Sequence, residues 1–316
     1  MLALQVHAFE GPAAWRLEEV PAPEPREGEV RVRVAANAIS YVDLLHARGG
    51  YQLKPALPFV PGTEFSGWRE DDGRPVTGTV FGGAWAERVC VPAQALAPLP
   101  EGCDLHAAAA LPITGATALY ALRDRAQLRA GETVLVLGAA GGTGLAAVQV
   151  AVALGARVVA GAGSEAKRAA ALEAGADHAV DTARPDWRAA VQAAAPAGID
   201  VVFDPVGGSL TDPAFRCLRW GGRHLVVGFT EGQIPVLKAN LALLKGASLV
   251  GVDVRQFRER EPVAAQQLLE DTVDLFERGA LAPRLARVVP VAEWPAAMAA
   301  AADRATVGRV VIAWSR

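Results

Sequence analysis

The feature that most constrains the fold of this chain is a repeat of apolar runs and alanine-rich segments over residues 131–252. Because the apolar runs do not alternate with polar residues, each is expected to form a strand buried on both faces. Strands that alternate with helices predict an α/β protein with a six-stranded parallel sheet, doubly wound by right-handed crossovers. The predicted strands are Thr133–Leu137, Arg157–Ala160, His178–Val180, Ile199–Phe203, His224–Val227 and Ser248–Val252, with helices at about 142–154, 165–174, 186–194, 209–218 and 238–244.

The segments on either side of this repeat follow a different pattern. The first hundred residues contain short alternating runs, such as Glu29–Val34, between glycine and proline clusters, which indicates a β-rich domain. Four elements after residue 253 are too few for a third domain, so we expect them to pack on the N-terminal half. The predicted domains are therefore a discontinuous one over 1–116 and 253–316 and an inserted one over 117–252. The remaining predicted elements are helices at His106–Leu111 (capped by Asp104), Thr114–Leu128, Pro262–Arg278 and Trp294–Ala302, and strands at Ala286–Val291 and Gly308–Ala313.

Composition excludes several classes of protein. Hydrophobic residues make up 52% of the 316 residues and charged residues 21%, which is typical of a globular protein. The net charge of −3 gives no basic surplus for nucleic acid or an anionic membrane. The three cysteines, Cys90, Cys103 and Cys217, are scattered and indicate a reducing compartment rather than a disulfide framework. No apolar run has the length of a signal peptide or membrane span, so we expect a cytoplasmic protein.

The most specific motif is the glycine-rich turn of ETVLVLGAAGGTG, residues 132–144. Gly138, Gly141, Gly142, Thr143 and Gly144 follow the first predicted strand directly and open a predicted helix. Glycines let backbone N–H groups approach a pyrophosphate, and the helix N-terminus adds partial positive charge. A tight turn that needs glycine only for its backbone angles is the alternative, but the strand, the helix and the further βα units favour dinucleotide binding.

The end of the second predicted strand indicates which dinucleotide is bound. An NAD site places an acidic residue there to hold the ribose 2′-hydroxyl. The sequence VVAGAGSEAKR (158–168) has no acid at the strand end, and Ser164 and Lys167 lie where a 2′-phosphate would be expected. Glu165 is the alternative ribose ligand, and Lys167 is also compatible with a solvated helix position. The pattern favours NADPH.

Several segments together resemble the zinc-independent quinone oxidoreductase branch of the medium-chain dehydrogenase/reductases. They are LPFVPGTEFSG (57–67), GGAWAERVCVP (82–92), AAALPITGATALYAL (108–122), the glycine turn, FDPVGGSLTDPAFRCLRWGGRHLVVGF (203–229) and TVGRVVI (306–312). The resemblance covers nearly the whole chain. It implies a GroES-like catalytic domain built from both chain ends, a Rossmann domain between them and a cofactor in the cleft.

Two departures from relatives bear on the chemistry. Where zinc alcohol dehydrogenases carry a catalytic Cys and a His, this chain has Ser40 and Thr63, and it has no cysteine-rich zinc lobe. Neither set of zinc ligands exists in the sequence, so we expect no metal. Quinone reductases usually have Asn at the position of Ser40 and Arg at the position of Ala47, so the resemblance does not define the substrate contacts of this chain.

The resemblance also supplies candidate site residues. Ser40, Tyr41 and Tyr51 are hydroxyls in segments that border the cleft in relatives, and they are the candidate catalytic donors; packing with a satisfied hydroxyl is the alternative for the two tyrosines. The cofactor candidates implied by family position are Thr117, Gly228, Phe229, Asn240 and Arg309. Helix capping is an equal alternative for Asn240, and an exposed strand position is the alternative for Arg309.

The sequence therefore predicts an NADPH-dependent, zinc-independent oxidoreductase that transfers hydride to a quinone or another conjugated carbonyl. Two alternatives remain open, an enoyl- or acrylyl-thioester reductase and a non-catalytic NADPH-binding sensor or structural protein. A short-chain dehydrogenase is excluded because none of the three tyrosines begins a Tyr-x-x-x-Lys motif. The apolar edge strand Ala247–Val252 carries no charge or proline, and we expect a homodimer through it.

Overall fold

The computed structural model describes residues 1–314 and divides into two compact units. Unit 1 contains Met1–Ile113, Arg260–Glu277 and the described residues from 283 to 314, and unit 2 contains Thr114–Glu259 and Arg278–Ala282. The strands are β1 (Leu2–Val6), β2 (Trp15–Glu19), β3 (Glu29–Ala38), β4 (Glu64–Arg69), β5 (Pro75–Thr79), β6 (Arg88–Pro92), β7 (Leu96–Pro98), β8 (Thr133–Leu137), β9 (Arg157–Ala162), β10 (His178–Asp181), β11 (Ile199–Asp204), β12 (Leu218–Val226), β13 (Ser248–Gly251), β14 (Leu285–Pro290) and β15 (Arg309–Ala313).

The α-helices are α1 (Tyr41–Ala47), α2 (Leu105–Ala108), α3 (Thr114–Leu119), α4 (Gly142–Ala153), α5 (Glu165–Glu173), α6 (Trp187–Ala194), α7 (Thr211–Cys217), α8 (Ala239–Lys245), α9 (Val254–Arg260), α10 (Pro262–Glu277) and α11 (Trp294–Ala302). A π-helical segment, Tyr120–Arg125, follows α3. Among the described residues, no helix combines the length and apolar character needed to cross a bilayer.

Unit 1 is built on a sheet in which β3 is the central strand. The strand order is β14-β15-β3-β4-β5-β7, and β6 also pairs with β3. Alternation along EVRVRV directs Val30, Val32 and Val34 into a core that also contains Phe65 and Trp85. The C-terminal strand β15 pairs antiparallel with the end of β3, so β14 and β15 belong to the same sheet as β3–β7, whereas β1 and β2 form a separate two-stranded sheet.

Unit 2 has the predicted six-stranded parallel sheet, with the order β10-β9-β8-β11-β12-β13. The central strand β8 is buried at every position, as its uninterrupted apolar sequence requires. Because the strands are parallel, their carboxyl ends lie at one edge of the sheet, where the turns into α4, α5 and α7 begin. The predicted α/β architecture with a doubly wound parallel sheet is confirmed.

Several predicted elements have different bounds in the structure. The strand predicted at Glu29–Val34 continues to Ala38, because its alanine-rich end pairs with β15 and packs against Ala109 and Ala110. The helix predicted at His106–Leu111 is only Leu105–Ala108, although Asp104 caps it as expected. The helix predicted at Thr114–Leu128 ends at Arg125, and two residues later Gln127 has a φ of 50° that no helix accommodates.

Two further elements differ in unit 2. The strand predicted to begin at His224 begins at Leu218, with an irregular register against β11. Helix α9 was not predicted at all, since VRQFRER carries little apolar periodicity. The structure shows the capping that does stabilise it: the Asp253 carboxylate accepts hydrogen bonds from the backbone N–H and the side-chain amide of Gln256, and Phe257 stacks on Tyr120. An Asp followed three residues later by Gln was the available signal.

Candidate functional site

The glycine turn between β8 and α4 is held in one conformation by contacts that only glycine permits. Gly138 has a φ of 58°, in the left-handed region. A Cβ on Gly144 would lie 2.2 Å from the Gly138 carbonyl oxygen and 2.8 Å from the Ala139 Cα. The first turn of α4 therefore lies so close to the loop backbone that only glycine fits at position 144. Gly141 is the N-cap of α4 and Gly142 its first residue. The cradle thus has the glycines and the helix N-terminus that a pyrophosphate requires.

The predicted 2′-phosphate residues lie directly after β9. Ser164 is the exposed N-cap of α5 and makes no side-chain capping bond, and Lys167 is half-buried in the first turn of that helix. Sequence reasoning missed their neighbour Arg168. Its guanidinium forms an ion pair with Asp181 at 3.0 Å and contacts the carbonyl oxygen of Ala162, the last residue of β9, at 3.4 Å. A second cation therefore lies at this strand end, engaged with a carboxylate of the neighbouring strand.

The other cofactor candidates of unit 2 lie on three separate elements. Gly228 and Phe229 follow β12, and the Phe229 side chain remains 36% exposed. Thr117 is half-buried in α3. Asn240 is exposed near the start of α8, but Lys238 occupies the N-cap position, so the alternative role of Asn240 as a helix cap is wrong.

In unit 1, the Ser40 hydroxyl takes part in the local structure at the start of α1. Ser40 Oγ accepts a hydrogen bond from the Asp43 N–H at 3.0 Å, and the Asp43 carboxylate accepts one from the Ser40 N–H at 2.7 Å, which makes a capping box. Ser40 Oγ also lies 3.3 Å from Thr63 Oγ1. Burial raises the pKa of Asp43, against the opposing effect of these hydrogen bonds. Asp43 therefore has a structural role at the start of α1.

Arg309 does not occupy the exposed strand position that the sequence analysis gave as its alternative. Its side chain is buried and forms an ion pair with Glu64, which is itself fully buried. The second carboxylate oxygen of Glu64 accepts a hydrogen bond from the Ile113 N–H at 2.8 Å. Sequence reasoning did not select Glu64, although it directly follows Thr63 in the GTE motif. The pair joins β15 to β4, two strands from opposite ends of the chain.

Tyr51 belongs to a cluster of rings on unit 1. Its ring centroid lies 5.6 Å from that of Phe81 and 6.2 Å from that of His46, and His46 also packs on Phe59 and Phe81 at 4.9 and 4.8 Å. His46 is buried, its Nδ1 has no hydrogen-bond partner within the described chain, and burial lowers its pKa. Phe81 and Tyr41 remain partly exposed. The cluster offers aromatic faces and a phenol hydroxyl to a flat ligand.

The residues at the zinc-ligand positions of related dehydrogenases do not fit a zinc ion. Ser40 and Thr63 supply two hydroxyl groups, whereas zinc takes thiolate, imidazole or carboxylate ligands. The nearby carboxylate of Asp43 is committed to the start of α1. Within residues 1–314, no group of three or more His, Cys, Asp or Glu side chains is arranged to hold a metal.

Comparison with known proteins gives matches over both units. Residues 26–101 match the family model described as alcohol dehydrogenase GroES-like domain, and residues 142–270 match zinc-binding dehydrogenase. Quinone oxidoreductase-like protein 2 from Bos taurus is 36% identical over 94% of this chain and 88% of its own length. Quinone oxidoreductase from Rattus norvegicus is 34% identical over 80% of each chain. The quinone oxidoreductase structure from Thermus thermophilus, also solved with NADPH, is 37% identical with a TM-score of 0.89, covering 99% of this chain and all of that one.

Proposed function

The chain belongs to the quinone oxidoreductase branch of the medium-chain dehydrogenase/reductase superfamily, and from that membership we propose that it is an NADPH-dependent, zinc-independent reductase of quinones or other conjugated carbonyls. The observation that carries the proposal is the cradle of Gly138 and Gly144, where the loop and helix backbones are too close for any side chain. We also propose that the protein is cytoplasmic.

The residues present fit NADPH. The glycine turn and the N-terminus of α4 would hold the pyrophosphate, and Ser164 and Lys167 would hold the 2′-phosphate. Strand β9 itself ends without a carboxylate, and the carboxylate of Asp181 on the neighbouring strand is paired with Arg168. Gly228 and Phe229 would line the nicotinamide, by family position. When bound, NADPH supplies the hydride. The Thermus thermophilus relative, solved in complex with NADPH, supports this choice of cofactor.

The ring cluster supports a flat conjugated acceptor. Tyr51 and Phe81 present aromatic faces on unit 1, which suit offset or edge contacts with a quinone ring. Because Ser40 is buried and its hydroxyl already contacts Asp43 and Thr63, we assign Ser40 to holding α1. The hydroxyls of Tyr41 and Tyr51 are left as the candidate proton donors, and a hydroquinone product needs little more than such a donor or solvent.

A single set of assays tests the function. Purified protein is mixed with NADPH and either 1,4-benzoquinone or a crotonyl thioester, and loss of reduced-nicotinamide absorbance is followed. We expect turnover with the quinone that exceeds the uncatalysed rate and is unchanged by a metal chelator. Turnover with the thioester alone would support an enoyl-thioester reductase, and tight NADPH binding without turnover would support a sensor. Stoichiometric zinc that is lost together with activity would contradict zinc independence.

Two substitutions test whether the quinone binds at the ring cluster. Phe81→Leu removes one aromatic contact, and we expect it to raise KM for the quinone about 2- to 10-fold with little change in KM for NADPH. Phe257→Leu is the matched control, since it removes a stacked ring from unit 2. Equal effects of the two substitutions on KM for the quinone would contradict the placement of the acceptor at the ring cluster.

A further inference from the structure

Asp204, at the end of β11, anchors the loop that follows it. One carboxylate oxygen accepts hydrogen bonds from the N–H groups of Val206 and Gly207, at 2.9 and 2.8 Å. The backbone carbonyl of the same residue accepts from the N–H groups of Val227 and Gly228, at 2.9 and 3.3 Å. One residue therefore holds both the 205–208 loop and the segment that leaves β12.

The second carboxylate oxygen of Asp204 has two buried partners. Thr211 Oγ1 donates to it at 2.7 Å, and His224 Nε2 lies 3.1 Å away. The His224 ring stacks on Phe215, and its Nδ1 has no partner in the described part of the chain. All three polar side chains are almost completely buried. Burial tends to raise the pKa of Asp204, but the bonds from His224 and Gly207 hold that pKa below its usual value, so the carboxylate stays charged.

The anchored loop contacts both ends of the proposed cofactor site within unit 2. A Cβ on Gly138 would lie 2.9 Å from Val206 Cγ2, which shows that Val206 packs directly on the first glycine of the phosphate turn. A Cβ on Gly207 would lie 2.8 Å from Phe229 Cδ1, so the Phe229 ring packs on that glycine. Asp204 thus fixes, through two neighbouring residues, where the turn and the Phe229 segment lie relative to each other.

We propose that Asp204, Thr211 and His224 are positioning residues that set the spacing between the pyrophosphate turn at Gly138 and the nicotinamide-lining segment at Gly228–Phe229. The ligand named here rests on the proposed function. A ligand that spans both segments is sensitive to this spacing, whereas a ligand that reaches only one of them is not. The Asp204 carboxylate makes four hydrogen bonds or close polar contacts at once, which links the loop, Thr211 and His224 through one side chain.

The test uses the full-length protein and the isosteric substitution Thr211→Val, which deletes one bond to Asp204. We expect the Kd for NADPH to rise about tenfold, while the Kd for 2′,5′-ADP, which lacks the nicotinamide half, changes less than about twofold. Thr272→Val is the matched control, because Thr272 is also fully buried and donates to a carbonyl oxygen at 2.7 Å in unit 1. It should lower Tm comparably and leave both Kd values unchanged.

Amide hydrogen exchange gives a readout that does not depend on activity. Asp204→Asn should speed exchange at the amides of residues 206–208 without ligand, and Thr272→Val should not. If the wild type binds NADPH and Thr211→Val weakens NADPH and 2′,5′-ADP equally, or weakens neither, the positioning role is wrong. The proposed function is not affected by either of these outcomes. A wild type that binds no NADPH would overturn the proposed function, and with it the ligand named for these residues.

Discussion

At the scale of single residues, the predictions that succeeded rest on local backbone chemistry. The glycines, together with the predicted strand before them and helix after them, predicted the turn, because close backbone approach and left-handed angles restrict the residue type at Gly138 and Gly144. The ion pair of Glu64 with Arg309 could not be predicted, since 245 residues separate the partners and only the fold brings them together. His224 shows the same limit: its partner Asp204 lies on a neighbouring parallel strand.

A single residue, Lys167, is predicted to make the protein prefer NADPH to NADH. Lys167→Ala removes a cation from the end of β9, and we expect it to weaken NADPH binding about 10- to 100-fold while NADH binding barely changes. The physical reason is that only NADPH carries the 2′-phosphate dianion. Fluorescence titration with each cofactor measures both dissociation constants.

The matched control for Lys167 is Arg157→Ala. Arg157 is an exposed cation at the first residue of β9, roughly 16 Å from the opposite end of the strand. The Arg157→Ala substitution should leave the dissociation constants for NADPH and NADH unchanged. Equal weakening of NADPH and NADH by Lys167→Ala, or a wild type that prefers NADH, would show that the 2′-phosphate site is assigned wrongly.

At the scale of elements, continuous apolar runs predicted the strands of unit 2 to within a few residues, because burial on both faces requires such runs. Elements that depend on tertiary contacts were placed less well. The first part of β12 includes exposed Arg219 and Trp220, so nothing in its sequence indicates a strand. Helix α2 is short, and the turns that follow it depend on their packing against β3 and β15.

The turn between β8 and α4 gives a prediction that separates folding from binding. Gly144→Ala places a methyl group against the backbone of Gly138 and Ala139, so we expect a loss of about 1–3 kcal/mol or more in the free energy of unfolding. Gly141→Ala meets only an ordinary contact at 3.5 Å and has a φ of −74°, so it should cost about 0.5–1 kcal/mol as a poorer N-cap.

Binding should respond differently to the same two substitutions. Gly141→Ala adds a methyl group where the proposed pyrophosphate approaches, so it should weaken NADPH binding despite a nearly unchanged Tm. Thermal unfolding and fluorescence titration of both variants measure the two effects. A Gly141→Ala protein that binds NADPH like the wild type would argue against the turn as the pyrophosphate site.

At the scale of the whole molecule, the two edges of the parallel sheet differ in character. The edge strand β10 carries His178 and Asp181, whereas the other edge strand, β13, has no charged residue or proline. Exposed apolar side chains of unit 2 include Leu249 on β13, Trp220 on the neighbouring β12, Leu243 and Leu244 on α8, and Ile234 and Val236 in the segment before α8. An open edge of this kind is a site for pairing with another chain. The predicted homodimer through this edge therefore remains our proposal.

Assembly can be tested by introducing one lysine at the β13 edge of the sheet or, as a control, one lysine near the opposite edge. We expect the wild type to sediment as a dimer at micromolar concentration and Leu249→Lys to sediment as a monomer, because a lysine at the pairing edge would be buried without a partner. Leu172→Lys is the matched control: Leu172 is 46% exposed on α5, beside β9 and β10, against 52% for Leu249. It should leave the dimer intact. A monomeric wild type, or a Leu249→Lys protein that still dimerises, would exclude β13 as the interface, since the Leu172 variant shows whether an added surface lysine alone alters sedimentation.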